Sequence, residues 1–393
     1  MPHVRRSPVW LSALLGVALA GGAQPPFPAA PHLGEPLNRE PGRSVLEARL
    51  AVAPDGTVVV AWIEDTRSPG DEQGQGVFVS RWDGRRWNAL GGNLNYNPRR
   101  SSTSLDLALD ERGRPVLAWN ENFAHVDLAV FRAWDGRRWT DWREREIGQD
   151  LTYAARSRGL AARAGEAVLA WGDLRRGGTG TELRVRRWQD RTWQRSEPFN
   201  AAQGEYAFEP QIALAASGQP VVAYLEGNVA ASDVRVKRWN GSRWVALGGP
   251  LNVRPQTYTL DPQLRLDRQG RPVVAWIEDA GGVDSLFVKR WTARGWKTLG
   301  GRLNGQRPAE APALALLPTG EPVVGWNETA GETSRVLVRR WTAQGWKPLP
   351  LGPQGKSARG ISLGADRRGN VYAAWLEAQG GVARLRVARV PAR

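Results

Sequence analysis

The sequence contains no cysteine, one methionine, three histidines and five lysines among 393 residues. Without cysteine there is no disulfide framework, so stability must come from a hydrophobic core. There is also no cysteine to carry a lipoprotein anchor. His3 and His32 lie near the N-terminus, which leaves only His125 in the rest of the chain. A His-based catalytic triad or a His-rich zinc site is therefore not expected. We expect no cofactor and no metal.

Long hydrophobic runs are also scarce. The apolar stretch from Val9 to Ala20 follows Arg5 and Arg6 and precedes small residues, a pattern typical of a secretory signal peptide. It is short for a membrane span, and no other apolar run is longer. We predict a signal peptide over residues 1–23, a Pro-rich linker over 24–32, and a secreted or periplasmic protein without a membrane span after cleavage.

What the sequence does have is a tryptophan-rich repeat of about fifty residues. Each repeat contains an apolar run of the form Pro-Val-Val-Ala-Trp-x-Glu. Its aromatic residue recurs at seven positions: Trp62, Trp119, Trp171, Tyr224, Trp276, Trp326 and Trp375. A period of this length indicates a solenoid, an array or a propeller. No sustained helical periodicity occurs after the N-terminus, which excludes a helical solenoid.

Each repeat has the pattern of four strands. A short alternating strand and a Gly-rich turn precede the apolar run, and a third strand ends at a tryptophan. A second tryptophan follows five residues later, with hairpin-type pairs such as Asp83-Gly84 in several of the gaps. Such sheets must stack to bury both faces, and radial closure hides their edges. We predict an all-β, seven-bladed propeller of four-stranded antiparallel blades over residues 33–393.

The two chain ends predict how the ring closes. The last repeat stops after its third strand, at Val390. The segment from Leu33 to Asn38 matches the end of a fourth strand, Leu247 to Asn252. We therefore expect an N-terminal strand to complete blade seven.

The formal net charge is +15, and nearly all of the positive charge is arginine. One interpretation is affinity for an anionic polymer such as an acidic polysaccharide. The other is an arginine-rich, solvent-facing surface whose side-chain stems cover tryptophan rings. No nucleic-acid-binding motif accompanies the charge, so no nucleic acid partner is expected.

The second strand ends in an acid in every repeat. These acids are Glu64, Glu121, Asp173, Glu226, Glu278, Glu328 and Glu377. The propeller geometry predicts that they form a ring on one face. A residue that follows the repeat is more often architectural than catalytic, so we interpret the ring as structural, each acid capping a turn or pairing with an arginine or a backbone amide.

Departures from the repeat are the better guide to a ligand site. Eighteen residues before the second-strand aromatic, blades three to five carry Tyr153, Tyr206 and Tyr258. Fifteen residues before it, the same blades carry Arg156, Glu209 and Asp261. Aromatic rings beside charged groups suit a sugar, and we predict that these six residues bind a ligand. The alternative is that the tyrosines only pack the channel rim.

The repeat resembles secreted bacterial β-propeller proteins with Trp-rich blades, whose units have the form Trp-x-x-Leu-Gly-x-x-Leu-Asn followed by Pro-Val-Val-Ala-Trp-x-Glu. In outline it is also similar to sialidase-like and lectin propellers, a resemblance that specifies a fold and not an activity. The turn from Trp82 to Trp87 falls where a sialidase Asp-box would lie, but Asp83 and Gly84 are adjacent instead of separated by one residue. No Arg-Ile-Pro element precedes the repeats, which counts against sialidase activity.

Three functions follow from these patterns. The favoured one is an exported, monomeric binding module for a carbohydrate or an anionic envelope polymer, with no catalytic residue assigned. The second is a glycoside hydrolase or polysaccharide lyase that uses carboxylates on the same face. The third is a protein-docking or structural scaffold.

Overall fold

The computed structural model describes residues 32–68, 74–123, 126–141, 158–163, 165–174, 180–189, 192–194, 206–228, 230–352, 354–355 and 357–390. The predicted signal peptide and most of the predicted linker lie outside these residues, as do Tyr153, Arg156 and His125. The described residues form 27 strands. None of their segments is a helix with the length and apolarity needed to cross a membrane.

The strands fall into four groups, numbered along the chain. The first strands of the blades are β1 Val45–Val52, β5 Ser102–Leu109, β9 Arg158–Arg163, β13 Tyr206–Leu214, β17 Thr259–Leu266, β21 Ala309–Leu316 and β25 Ala358–Ala365. The second strands are β2 Val58–Asp65, β6 Pro115–Phe123, β10 Glu166–Leu174, β14 Pro220–Gly227, β18 Pro272–Asp279, β22 Pro322–Ala330 and β26 Val371–Gln379. The third strands are β3 Gln75–Trp82, β7 Val126–Trp134, β11 Thr181–Gln189, β15 Ser232–Trp239, β19 Asp284–Thr292, β23 Thr333–Thr342 and β27 Val382–Val390. The fourth strands are β4 Trp87–Ala89, β8 Trp139–Asp141, β12 Thr192–Gln194, β16 Trp244–Ala246, β20 Gly295–Thr298 and β24 Gly345–Pro348.

Each blade is an antiparallel meander in which the strands pair in chain order. Six sheets have four strands, and the sheet of β25, β26 and β27 has three. The first strands contact those of the neighbouring blades, for example β1 with β5 and with β25. They therefore surround the centre of the ring. The predicted seven-bladed β-propeller is confirmed.

The hydrophobic core lies between the blades, because the second strands are buried on both faces. Trp276 of blade five, for example, packs in one cluster with Val221 and Ala223 of blade four. The second-strand aromatics are the largest fully buried side chains of the described residues. The tryptophan repeat is thus explained by packing between neighbouring blades.

The outer tryptophan pairs join consecutive blades by hydrogen bonds. Trp291 and Trp296 pack edge to face at an interplanar angle of 69°, with ring centroids 5.3 Å apart. The indole N–H of Trp296 donates to the carbonyl of Leu247 in the preceding blade at 2.5 Å. Trp139 and Trp346 make equivalent bonds to the preceding blades.

The N-terminal segment, residues 32–38, lies beside β27 of blade seven and forms backbone hydrogen bonds with it. The backbone N–H groups of Leu33 and Leu37 donate to Val387 and Leu385 at 2.8 and 3.1 Å. The indole of Trp87 donates to the Leu33 carbonyl at 2.6 Å. These contacts support closure of the ring by this segment, which the truncation described in the Discussion tests.

Arginines of the third strands also link the blades. Arg187 donates to the carbonyl of Gly218 at 2.7 Å, and Arg238 donates to that of Gly270 at 2.6 Å. Each acceptor lies in the turn between the first two strands of the next blade. Part of the repeated positive charge is therefore engaged in blade-to-blade contacts.

Candidate functional site

The second strands end on the same face of the ring on which the first strands begin. Ala207 at the start of β13 pairs with Glu226, and Thr259 at the start of β17 pairs with Glu278. The loops between blades and the loops between second and third strands open on this face as well. We call it the acid face, after the acids that end the second strands.

The described acids of this face are buried, apart from the partly buried Glu377, and are hydrogen-bonded to the protein. Glu278 accepts the backbone N–H groups of Val253 and Arg254, at 2.9 and 2.6 Å, and the indole N–H of Trp276 at 2.9 Å. These partners belong to the loop that leads into blade five and to the strand of the acid itself. The carboxylate thus replaces water for three donors that have no strand partner.

The same arrangement recurs in other blades with two variations. Glu64 and Glu121 accept backbone and indole N–H groups as Glu278 does. Glu226, Glu328 and Glu377 pair with an arginine of the third strand, at 2.6, 2.9 and 3.2 Å. Glu328 also accepts the indole N–H of its own strand, and Glu377 a backbone N–H of the preceding loop. Burial is the main cause that raises the pKa of Glu121. Asp173 ends its strand at the equivalent position, but its side chain lies outside the described residues.

The two described tyrosines of the predicted ligand site lie on the acid face. Tyr206 is the first residue of β13, and its side chain is 42% exposed. Tyr258 immediately precedes β17, and its hydroxyl donates to Asp284. This hydrogen bond is the largest cause of a Tyr258 pKa raised to about 12. Tyr206 is therefore the freer of the two rings.

Exposed hydrophobic side chains concentrate on the acid face. Among the described residues, five large hydrophobic side chains are exposed. Four of them, Leu46, Tyr206, Val253 and Leu260, lie at the starts of first strands or in the loop before one. The fifth, Val245, lies on β16 at the outside of blade four. Leu46 belongs to blade one, whereas Tyr206, Val253 and Leu260 belong to blades four and five and the loop between them, where neighbouring exposed apolar side chains can mark a ligand site.

The first strands are distorted where they meet the channel. A β-bulge interrupts the pairing of β13 between Phe208 and Gln211 and that of β17 between Leu260 and Gln263. The bulges place residues with left-handed φ at the channel wall: Ser104 at 56°, Glu209 at 48°, Asp261 at 49°, Ala311 at 46° and Gly360 at 67°. Bulges re-aim side chains, and left-handed φ is costly for residues other than glycine.

The bulges connect the channel acids to the next blade. The N–H of Asp261 donates to the carboxylate of Glu209 at 2.7 Å. In blade one, Glu47 accepts the N–H of Leu105 at 3.2 Å in the same manner. Burial, and then the charge of Asp261, raise the pKa of Glu209 to about 7. Burial also raises the pKa of Asp261, which the charge of Arg49 partly opposes.

A second group of charges lies between blades two and three. Arg158 donates to Asp106 at 2.9 Å and also to Asn120 and to the Ser104 carbonyl. Burial raises the pKa of Asp106 to about 6, although the charge of Arg158 opposes the shift. Sequence reasoning missed this group, because it compared only the positions fifteen and eighteen residues before each second-strand aromatic, and Arg158 lies thirteen before Trp171.

Blade three also departs from the spacing on which Arg156 was chosen. Gly159 pairs with Ala170, twelve residues before Trp171, whereas Gln211 pairs with Ala223, thirteen residues before the aromatic of blade four. A shift of one residue moves side chains to the other side of a strand. Arg156 lies outside the described residues, so its grouping with Glu209 stays a prediction.

The first strands enclose a cavity of 490 Å³ at the centre of the ring. Its charged and amide side chains all come from blades one to five, whereas blades six and seven contribute only apolar or small residues such as Ala311 and Ser362. The charged groups therefore lie on one side of the cavity. Its volume falls in the range of ligand sites. Within the described residues, no three His, Asp or Glu side chains form a metal-binding cluster.

Comparison with known proteins identifies the fold. No protein family profile and no curated protein matches the chain. A protein of unknown function from Dyadobacter fermentans is similar in structure, with 12% identity and a TM-score of 0.54 over 93% of this chain and 100% of that one. An ulvan lyase solved with a saccharide of glucuronic acid and sulfated rhamnose has 12% identity and a TM-score of 0.53 over 92% of this chain and 94% of that one.

A trans-sialidase from Ruminococcus gnavus, solved with oseltamivir carboxylate, is a more distant neighbour. It has 9% identity and a TM-score of 0.46 over 88% of this chain and 94% of that one. The similarity to the Dyadobacter protein and to the ulvan lyase confirms the propeller fold. At these identities the likeness extends no further than the fold.

Proposed function

We propose that the protein is a glycan-binding propeller whose ligand sits on the acid face at the mouth of the central channel, between blades four and five. The observation that carries the proposal is that three of the exposed hydrophobic side chains, Tyr206, Val253 and Leu260, belong to these two blades and the loop between them, with Tyr206 as the exposed ring. Aromatic rings stack on the apolar faces of sugars, while the neighbouring Glu209 and Asp261 offer acceptors for hydroxyl groups.

Two further observations favour a saccharide. The channel below the mouth is polar and has the volume of a ligand site. The ulvan lyase, which has the same fold, was solved with a saccharide bound. The net charge of +15 favours an acidic saccharide over a neutral one through long-range attraction.

A glycan array that includes neutral, uronate-containing and sulfated saccharides tests the proposal. We expect binding to at least one class, without release of reducing sugar. Absence of binding to every saccharide class, at concentrations well above those typical of glycan-binding modules, would contradict it and leave the protein-docking alternative.

The second candidate function is hydrolysis or lyase cleavage of the bound glycan. It is favoured by the pKa of Glu209, which is raised to about 7. A carboxyl group with such a pKa is partly protonated at neutral pH and can act as a general acid or base. Release of reducing ends, or of an unsaturated uronate, that is lost in Glu209→Gln would establish this candidate. Binding without either product favours the binding module.

We also propose that the chain is exported and works as a monomer. The basic N-terminal residues followed by the Val9–Ala20 stretch support export. Cell fractionation and N-terminal sequencing of the mature protein test it, and an intact Met1 on the purified native protein would contradict it. Light scattering of the purified protein tests the monomer.

A further inference from the structure

One channel position breaks the repeat in a single blade. It lies on the first strand and pairs across the sheet with a residue of the second strand. That partner lies three residues before the second-strand aromatic. In the seven blades this position is occupied by Ala51, Ala108, Ala161, Ala213, Arg265, Ala315 and Gly364. Six blades thus carry a residue with at most a methyl group, and blade five carries the longest cationic side chain. Packing of the blades does not require an arginine there.

Arg265 has no acidic partner among the described residues. Its guanidinium donates a hydrogen bond to the carbonyl of Leu264, the residue before it, at 2.8 Å. The other channel arginines are neutralised: Arg49 pairs with Glu47 at 2.7 Å and Arg158 with Asp106 at 2.9 Å. Among the described residues, no carboxylate lies close enough to raise the pKa of Arg265.

The side chain of Arg265 lines the central cavity and is exposed to it. Small residues of the next two blades, such as Ala313 and Gly360, line the same cavity. Apart from the bond to the Leu264 carbonyl, the guanidinium N–H groups of Arg265 have no acceptor among the described residues. They are therefore free to bind a partner that comes from outside the chain.

We propose that Arg265 makes the deep part of the channel a binding site for an oxyanion. The planar guanidinium offers parallel N–H donors that match two oxygens of a carboxylate, sulfate or phosphate. The oxyanion has two sources: a free inorganic anion, or an acidic substituent on a saccharide that enters from the acid face. Only the second source rests on the proposed function.

The position of Arg265 sets the length of a ligand that uses both parts of the channel. Arg265 lies four residues beyond Asp261 on β17, which corresponds to roughly 12 Å along the strand. A saccharide that stacks at Tyr206 and reaches Arg265 must therefore extend into the channel end-on. This geometry favours recognition of a chain end over recognition of the middle of a long polymer.

The test of the anion site uses inorganic sulfate and titration calorimetry at constant ionic strength, with sodium chloride in the reference. Arg265→Ala restores the residue of most other blades, so the variant is expected to fold. We expect sulfate to bind the parent protein with one site per chain, and Arg265→Ala to weaken it about tenfold or more. Arg294→Ala, which removes an exposed arginine of the blade-five outer turn, is the matched control and should leave binding unchanged.

Equal sulfate binding by the parent protein and Arg265→Ala would overturn the proposal, as would an equal loss in Arg294→Ala. Comparison of variants is needed because sulfate stabilises most proteins by exclusion from their surface. A sulfated or uronate saccharide and its neutral counterpart distinguish the two sources. If sulfate binds through Arg265 but no saccharide binds, the anion site stands and the proposed function falls. If a neutral saccharide binds and sulfate does not, the proposed function stands and the anion site falls.

Discussion

Replacing Glu209 with glutamine should make the protein more stable at alkaline pH. Glu209 lies on the bulge of β13, where burial and the charge of Asp261 raise its pKa from the ordinary value of 4.5 to about 7. Glutamine keeps an acceptor oxygen for the N–H of Asp261 and leaves the left-handed backbone unchanged. It removes the charge of the partly buried carboxylate. A channel acid that costs stability is expected where function, and not packing, has selected the residue.

The direction and size of the effect follow from the raised pKa. Between pH 4.5 and 7 the folded protein holds the Glu209 proton more tightly than the unfolded chain does. Stability therefore falls as the pH rises through this window. Each pKa unit corresponds to about 1.4 kcal/mol. Since the carboxylate is partly solvated in the channel, we expect a loss of about 1–3 kcal/mol, which Glu209→Gln should recover at pH 8 but not at pH 4.

Urea unfolding of both proteins at pH 4, 6 and 8 measures the effect. Glu278→Gln is the matched control, because the carboxylate of Glu278 accepts three N–H groups. That variant should lose about 2–3 kcal/mol at pH 8, the opposite sign. A Glu209→Gln variant that is less stable than the parent protein at pH 8 would refute the assignment of Glu209 as a destabilising channel acid.

Three other predictions concern the architecture. Deleting residues 24–40 should expose the edge of blade seven and lower the free energy of unfolding by several kcal/mol, whereas deleting residues 24–30 should change it little. Equal melting temperatures of the two variants would remove support for closure by the N-terminal segment. Ala311→Gly should raise stability by about 0.5–1 kcal/mol, because the φ of 46° suits glycine; a lower melting temperature would show that the bulge is unstrained. Arg238→Ala should cost about 1 kcal/mol through the lost bond to the next blade, and a loss no larger than in Arg243→Ala, an exposed turn arginine, would argue against blade-to-blade bonding by these arginines.

The fold could be predicted from the sequence because one pattern is repeated seven times. The spacing of Trp62 and its equivalents sets the blade length, and the apolar run before each aromatic has the composition of a strand buried on both faces. The alternation of turn residues then leaves little freedom in strand order. Fold prediction depended on the average of many equivalent positions, so single irregularities did not disturb it.

The site depends on the irregularities, and these could be predicted only in part. Nothing in Ser104, Glu209 or Ala311 signals a left-handed φ, which arises from the bulge and not from residue preference. The shifted register of β9 follows from its pairing, which a fixed spacing from Trp171 does not capture.

Arg265 did leave a signal in the sequence. Eleven residues before the second-strand aromatic, most of the repeats carry alanine or glycine, and the fifth carries Arg265. The pattern had no apparent meaning before the channel was visible, because a surface arginine would look the same in the sequence. Arg265 becomes significant because it lines the central cavity and has no carboxylate partner among the described residues.

The most direct test of glycan binding on the acid face is the affinity of Tyr206→Ala and Val245→Ala for the best saccharide found on the array. Both replacements remove an exposed hydrophobic side chain, but Val245 lies on β16, away from the acid face. We predict that Tyr206→Ala loses about 1–2 kcal/mol of binding free energy, roughly a tenfold weakening, while Val245→Ala binds as the parent protein does. Unchanged binding by Tyr206→Ala, with the fold intact by circular dichroism, would contradict the placement of the ligand at the channel mouth.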